Sequence, residues 1–181
     1  MFPDLTLTPK ESVRLCALGL VAEKARRYSD LAGRTRQFIS RMVGPSLDLM
    51  GSSIELLRYE GLVEAVDGKG MEDDALLAIT ETGQKELITL LTAPLRSGSD
   101  LTRLLVALKL RFLHLLPIDE QAEQAAILSD AVTTDRTRLM DLKRQEAESG
   151  SSAPLISWLE LEISQAEARI SWLADLSRKL G

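Results

Sequence analysis

The stretch from Ser52 to Leu87 changes its hydrophobic period twice, and few architectures can accommodate that. Ile54 and Leu57 recur at helical spacing, and Gly61 then fits a helix C-terminal cap, where a left-handed backbone is needed. Leu62 to Val66 is apolar and β-branched, which predicts a strand. Asp67-Gly68-Lys69-Gly70 supplies turn residues, and Ala75 to Ile79 predicts the returning strand. The loop between them exceeds a tight hairpin and carries Met71, Glu72, Asp73 and Asp74. From Thr80, a helix N-cap type, the pattern turns helical again through Leu87, Ile88 and Leu91.

What precedes this stretch is helical. Thr8-Pro9-Lys10-Glu11 forms a capping box with proline at the first helical position. It opens a helix that ends near Glu23 and is apolar on two edges: Val13, Cys16, Ala17, Leu20 and Val21, then Leu15 and Leu18. A second helix starts around Tyr28-Ser29-Asp30, buries Leu31, Ala32, Phe38 and Ile39, and stops at Gly44-Pro45. Ser46 caps a third, with Leu47, Met50, Ile54 and Leu57 inward. Three short helices, a β-ribbon and a fourth helix, in that order, read as a winged helix-turn-helix. The competing reading is a small α/β domain used only for packing.

Charge is distributed unevenly. The chain of 181 residues has a formal charge of −5, yet residues 24–41 carry Lys24, Arg26, Arg27, Arg34, Arg36 and Arg41 against Asp30 alone. That segment is +5 and the rest −10. Binding to a polyanion depends on local neutralisation of phosphates, so the negative total does not exclude it. Arg26 and Arg27 precede the second helix and Arg34 and Arg36 lie within it, places from which such a domain touches the DNA backbone. Ser52, Ser53 and Arg58 on the third helix are candidates for base contact, Arg58 more plainly for phosphate, and Lys69 at the wing tip for groove or backbone. Residues 1–92 still sum to −3, with 11 basic and 14 acidic side chains. This predicts modest affinity for each domain alone and useful binding only from a pair.

Catalytic chemistry is thinly represented. One histidine, His114, sits among leucines and reads as a packing or interface residue, and one cysteine, Cys16, as a small buried hydrophobe. No metal cluster or nucleophile–base set can be assembled from them, and neither "GKG" nor "SGSD" has phosphate-loop spacing. The expectation is a non-enzyme without cofactor or metal. The absence of a disulfide framework, a secretory pattern or a membrane-length apolar run predicts a cytoplasmic protein with no membrane partner.

Residues 93–100, within "TAPLRSGSD", read as a linker. Asp100 then caps a helix with Leu101, Leu104, Leu105, Leu108, Phe112 and Leu115, ended by Pro117. A second runs from Asp119 to about Glu148, and "SGSSAP" is a loop. The last helix places Ile156, Leu159, Ile163, Ala166, Ile170 and Leu173 at alternating intervals of 3 and 4, an a/d seam, with Trp158 and Trp172 beside it. Three such helices expose more leucine than they can hide, so a second copy is the expected cover, through Ile156, Leu159, Ile163, Ile170, Trp172 and Leu173. An intramolecular bundle closed on the first helix is the alternative.

Specific segments also resemble a known family. "ALGLVAEKARRYSDLAGRTR" (17–36) looks like the first two helices of PadR-type transcriptional regulators. "LDLMGSSIELLRYEGLVEA" (47–65) is similar to their third helix, with its Leu-x-x-x-Gly-Leu-Val/Ile ending. "LLAITETGQKEL" (76–87) matches the following strand-to-helix junction, with Thr80 and Gly83 the marked positions. The second half resembles the long C-terminal domain of the subgroup containing the virulence activator AphA. Two positions depart from the pattern: Gly51 stands where a tyrosine is frequent, and Arg27-Tyr28 where Gly-Tyr is frequent, both on the presumed DNA side. The resemblance implies a sequence-specific regulator that binds double-stranded DNA as a homodimer through its C-terminal region. It also implies that some members respond to small aromatic effectors near the domain junction, which here would employ Trp158, Trp172 or Phe112.

The expected fold is therefore mainly α with a small β-hairpin. It comprises a winged helix-turn-helix DNA-binding domain over 1–92, a linker over 93–100, and a three-helix, antiparallel, coiled-coil-like dimerisation domain over 101–181. The alternative function is a winged-helix protein-interaction module that does not bind DNA, which the acidic wing loop favours.

Overall fold

In the computed structural model, residues 7–43, 51–70, 73–95, 100–150 and 152–180 are described. The elements are α1 (Pro9–Glu23), β1 (Arg26–Arg27), α2 (Tyr28–Val43), α3 (Gly51–Tyr59), β2 (Val63–Ala65), β3 (Leu76–Ile79), α4 (Glu81–Thr92), α5 (Asp100–Phe112), α6 (Ile118–Glu148) and α7 (Ala153–Leu180). Leu47, Met50 and the Ser46 cap expected for the third helix lie outside the described residues. No helix among those residues is long and apolar enough to cross a membrane.

Local chemistry explains the element ends. Thr8 Oγ1 accepts from Glu11 N at 3.3 Å while Thr8 N donates to Glu11 Oε2 at 2.6 Å, the reciprocal capping box. At the end of α3, Gly61 adopts φ +70°. Gly61 N then donates to Arg58 O at 3.0 Å and Leu62 N to Leu57 O at 2.8 Å. These two bonds form a Schellman motif that turns the chain from helix into β2. Thr80 Oγ1 accepts from Gly83 N at 3.0 Å and opens α4. A side chain at Gly83 would run into the Leu62 carbonyl, so only glycine lets α4 close on β2.

The sheet has three antiparallel strands in the order β1-β3-β2, one more than the expected ribbon. Arg26 pairs with Leu77 and Arg27 with Leu76, while Val63 pairs with Ile79 and Ala65 with Leu77. Two arginines give no alternation, so β1 exists through its hydrogen bonds to β3 and not through a hydrophobic pattern.

The chain divides into two compact units. The first holds α1 to α5 and the sheet, built around α1, whose residues Ser12, Val13 and Leu15–Val21 are all buried. The helix α5, expected with the C-terminal half, packs on α1 and α2 instead. Leu104, Leu105, Leu108 and Phe112 are buried there, and the Phe112 ring lies where a Cβ on Gly19 would fall, 2.6 Å away. Lys109 on the same helix is also buried, its Nζ donating to the Leu91 carbonyl near the end of α4. Burial pushes its pKa down to about 8. Cys16 is buried as expected, and desolvation lifts its thiol to about 12.

The second unit is a helical hairpin of α6 and α7. Lys143 bridges Glu160 at 2.8 Å and Arg136 faces Glu167 at 3.9 Å. As one partner advances seven residues the other retreats seven, so the helices are antiparallel. The a/d seam expected to bind a second copy is thus closed within the chain. Leu159, Ala166 and Leu173 are buried in the hairpin, and Ile156, Ile163 and Ile170 are half-buried. Only Trp172 of the expected dimer residues is exposed, with Trp158 and Leu161 beside it, because these lie on a different stripe of α7. His114 is likewise exposed, in a 3-10 turn over Leu113–Leu115, and not packed among the leucines.

Candidate nucleic-acid interface

The basic segment 24–41 begins just past α1 and spans β1 and most of α2, and the fold assigns its arginines to different tasks. Arg26 is only 7% exposed. Its Nε donates to Leu20 O at 2.8 Å, Nη1 to Asp30 at 3.2 Å and Nη2 to Glu23 at 3.3 Å. This guanidinium satisfies a carbonyl near the end of α1 and ties that helix to α2. It is withdrawn from the surface and cannot serve as a phosphate contact without breaking the fold.

Arg27, next in β1, points the other way. Its Nη1 contacts Asp67 at 2.5 Å and the Asp74 carbonyl at 3.1 Å. Two of the wing carboxylates are occupied, that of Asp67 by Arg27 and that of Asp74 by Ser29, whose N and Oγ donate to it at 2.8 Å and 3.1 Å and so cap the first turn of α2. Asp67 accepts further from Leu76 N at 3.1 Å and Lys69 N at 3.3 Å. Desolvation alone would raise the Asp67 carboxyl, but these backbone donors and Arg27 hold it below its ordinary value. Acidity in the wing is structural to this extent; Met71 and Glu72 lie outside the described residues.

Arg34 and Arg36 do not share a face. Two residues apart on a helix, they are separated by roughly 200°. Arg34 Nε donates to Asp30 at 2.7 Å, and this bond chiefly lowers the Asp30 pKa. Arg34 and Arg41 line a shallow pocket of about 280 Å³ with Gln37, Phe38, Met42 and Arg111 of α5. The Arg111 guanidinium sits 5.0 Å from the Phe38 ring centre and 5.3 Å from that of Phe112. Arg36 lies on the opposite flank, toward α3. Tyr28 Oη donates there to Glu55 at 3.4 Å. Desolvation and then Glu55 raise the tyrosine pKa, while Arg36 works against them.

On α3, Ser52 and Ser53 occupy the first turn, with side chains outside the described part. Arg58 is exposed at the other end and shares a depression of about 410 Å³ with Gly61, Glu64, Gly68, Lys69 and Thr80, between helix and wing. Arg36, Arg58 and Lys69 form no ion pair among the described residues. The structure thus gathers Arg36, Arg58 and Lys69 around α3, holds Arg27 and Tyr28 at its border, and places Arg34 and Arg41 elsewhere. Sequence reasoning passed over Leu56, which is 47% exposed. It singled out neither Glu55 nor Tyr59 as a contact, and Tyr59 is 90% exposed. Their signal was available: they stand opposite Ile54 and Leu57, which are 1% exposed.

Comparison with known proteins bears on this arrangement. The profile of a family described as "Putative AphA-like transcriptional regulator" matches residues 2–177. Among curated proteins there is no significant match. Among solved structures, the chain is similar to Bacillus subtilis PadR at 15% identity, over 97% of this chain and 98% of that one, with a TM-score of 0.39. It is similar to the PadR-like transcriptional regulator BC1756 of Bacillus cereus at 16% identity, over 93% and 97%, TM-score 0.39. It is also similar to smu.1604c of Streptococcus mutans UA159 at 18% identity, over 93% and 98%, TM-score 0.37. Bacillus subtilis PadR has further been solved in complex with operator DNA and with p-coumaric acid. The assignment of a family rests on the sequence match alone.

Proposed function

The chain belongs to the AphA-like family of transcriptional regulators, and from that premise we propose that it binds double-stranded DNA as a homodimer in the cytoplasm, with α3 as the recognition helix and the β2–β3 ribbon as the wing. The observation that carries this reading is the cationic frame around α3: Arg36 on one side, Arg58 and Lys69 on the other, none of them ion-paired among the described residues. Arg27 and Tyr28 are at its edge. A helix flanked in this way matches a duplex groove bordered by phosphates. The DNA-binding unit on this reading runs from α1 through α5.

The stripe at 158, 161, 165, 168 and 172 on α7 favours a second copy as partner. Trp158, Leu161 and Trp172 are each more than half exposed there, at 51%, 54% and 53%. Large apolar side chains in line along a helix are unusual on a monomer. For the small aromatic effector that the resemblance implies, Phe112 is too deeply buried and both tryptophans stand open. The pocket over Phe38 fits a planar anion better, and benzoate protecting the wild type but not Arg41→Ala against thermal unfolding tests this.

Fluorescence anisotropy with the DNA upstream of its own coding region tests the main reading. Arg36→Glu and Arg58→Glu should each weaken binding at least tenfold and leave the dimer intact. The competing reading, a protein-interaction module, drew on the acidic wing, but Asp67 and Asp74 are engaged by Arg27 and Ser29. Unchanged DNA affinity in both reversals would favour it.

A further inference from the structure

The inward side of α3 is ordinary, with Ile54 and Leu57 buried. The outward side is not. Glu55, Leu56 and Tyr59 follow at intervals of one and three residues, which places them on one stripe. Leu56 is 47% and Tyr59 90% exposed. Single exposed apolar residues need no explanation. These two are neighbours three residues apart, about 4.5 Å along the axis, on a helix of nine residues bordered by Arg36, Arg58 and Lys69. A cationic border attracts a polyanion, and the polyanion then meets an apolar centre. In the major groove the apolar feature of a base edge is the thymine C5-methyl. The acid beside them narrows the choice further. Glu55, held by Tyr28 Oη at 3.4 Å, only accepts hydrogen bonds when ionised, so it is repelled by the two acceptors of guanine and compatible with the cytosine amino group.

Resting on the DNA-binding reading above, we infer that Leu56 and Tyr59 are specificity-determining residues that cover thymine methyl groups on adjacent base pairs of the operator. The energy of such contacts comes from apolar burial, so each lost methyl should weaken binding about fourfold.

The DNA upstream of the protein's own coding region, prepared once with thymidine and once with deoxyuridine, provides the test, because uracil lacks only the methyl. By anisotropy at several salt concentrations, the wild type should prefer the thymine duplex by about sixteenfold for the two methyls under one head, and by up to about 250-fold for the four under both heads of a dimer. The double variant Leu56→Ala/Tyr59→Ala, altered only at exposed positions, should lose that preference while keeping the same salt dependence. Equal affinity of the wild type for both duplexes overturns the inference and leaves DNA binding standing, as does a preference that persists in the double variant. If neither duplex gives a salt-dependent complex, the DNA-binding reading itself falls and takes the inference with it.

Discussion

Arginines that look equivalent in the sequence serve different ends, and each can be tested singly. Arg26 is enclosed by Leu20 O, Glu23 and Asp30. Its loss leaves the Leu20 carbonyl and the Glu23 carboxylate without their donor and Asp30 with Arg34 alone, so Arg26→Ala should lower unfolding free energy in urea by about 2–3 kcal/mol. Arg36→Ala, at an exposed site, should change it by less than about 0.5 kcal/mol. Lys109 gives a pH signature. Its pKa is about 8 in the folded state against an ordinary 10.5. Between those values the unfolded chain binds the extra proton, so the Lys109 contribution to stability should rise from pH 8 to 10.5, by at most roughly 3 kcal/mol, and be flat below 8; above pH 9 it is opposed by Cys16, whose thiol ionises first in the unfolded chain. Lys109→Met should abolish the rise between pH 8 and 9 in urea titrations. Cys16, with its thiol raised to about 12, should resist thiol reagents at pH 8 until the protein unfolds.

At the scale of elements, junctions matter more than helix interiors. The turn from α3 into β2 depends on Gly61 at φ +70°, and the start of α4 depends on Thr80 and Gly83. Thr80→Ala should cost about 1 kcal/mol for the lost cap. Gly83→Ala should cost more than about 2 kcal/mol, because the methyl meets the Leu62 carbonyl and backbone cannot give way cheaply. Both positions were legible in the sequence, as was the capping box at Thr8; the helix expected to reach Pro117 instead ends at Phe112. β1 was not, because Arg26-Arg27 lacks any pattern and its pairing to Leu77 and Leu76 is set by tertiary contact. The face of α2 carrying each arginine was open to calculation from the helical period. What the period could not reveal is that α5 lies against the Arg34 and Arg41 flank, since a leucine stripe does not identify what covers it. For the same reason the α7 seam was assigned to a second copy when α6 of the same chain covers it.

At the scale of the whole molecule, the account requires two cationic heads held by one dimer. Replacing Trp158 and Trp172 by serine should yield a monomer at micromolar concentration in light scattering, with the α6–α7 hairpin intact, since neither ring is buried in it. That monomer should bind DNA far more weakly, because half the phosphate contacts are gone. The central claim is tested most directly by the salt dependence of binding to the upstream DNA. Arg36, Arg58 and Lys69 from each of two heads would neutralise six phosphates, which predicts that log affinity falls with log salt at a slope near −5. A slope indistinguishable from zero, or no complex at low ionic strength, would contradict it.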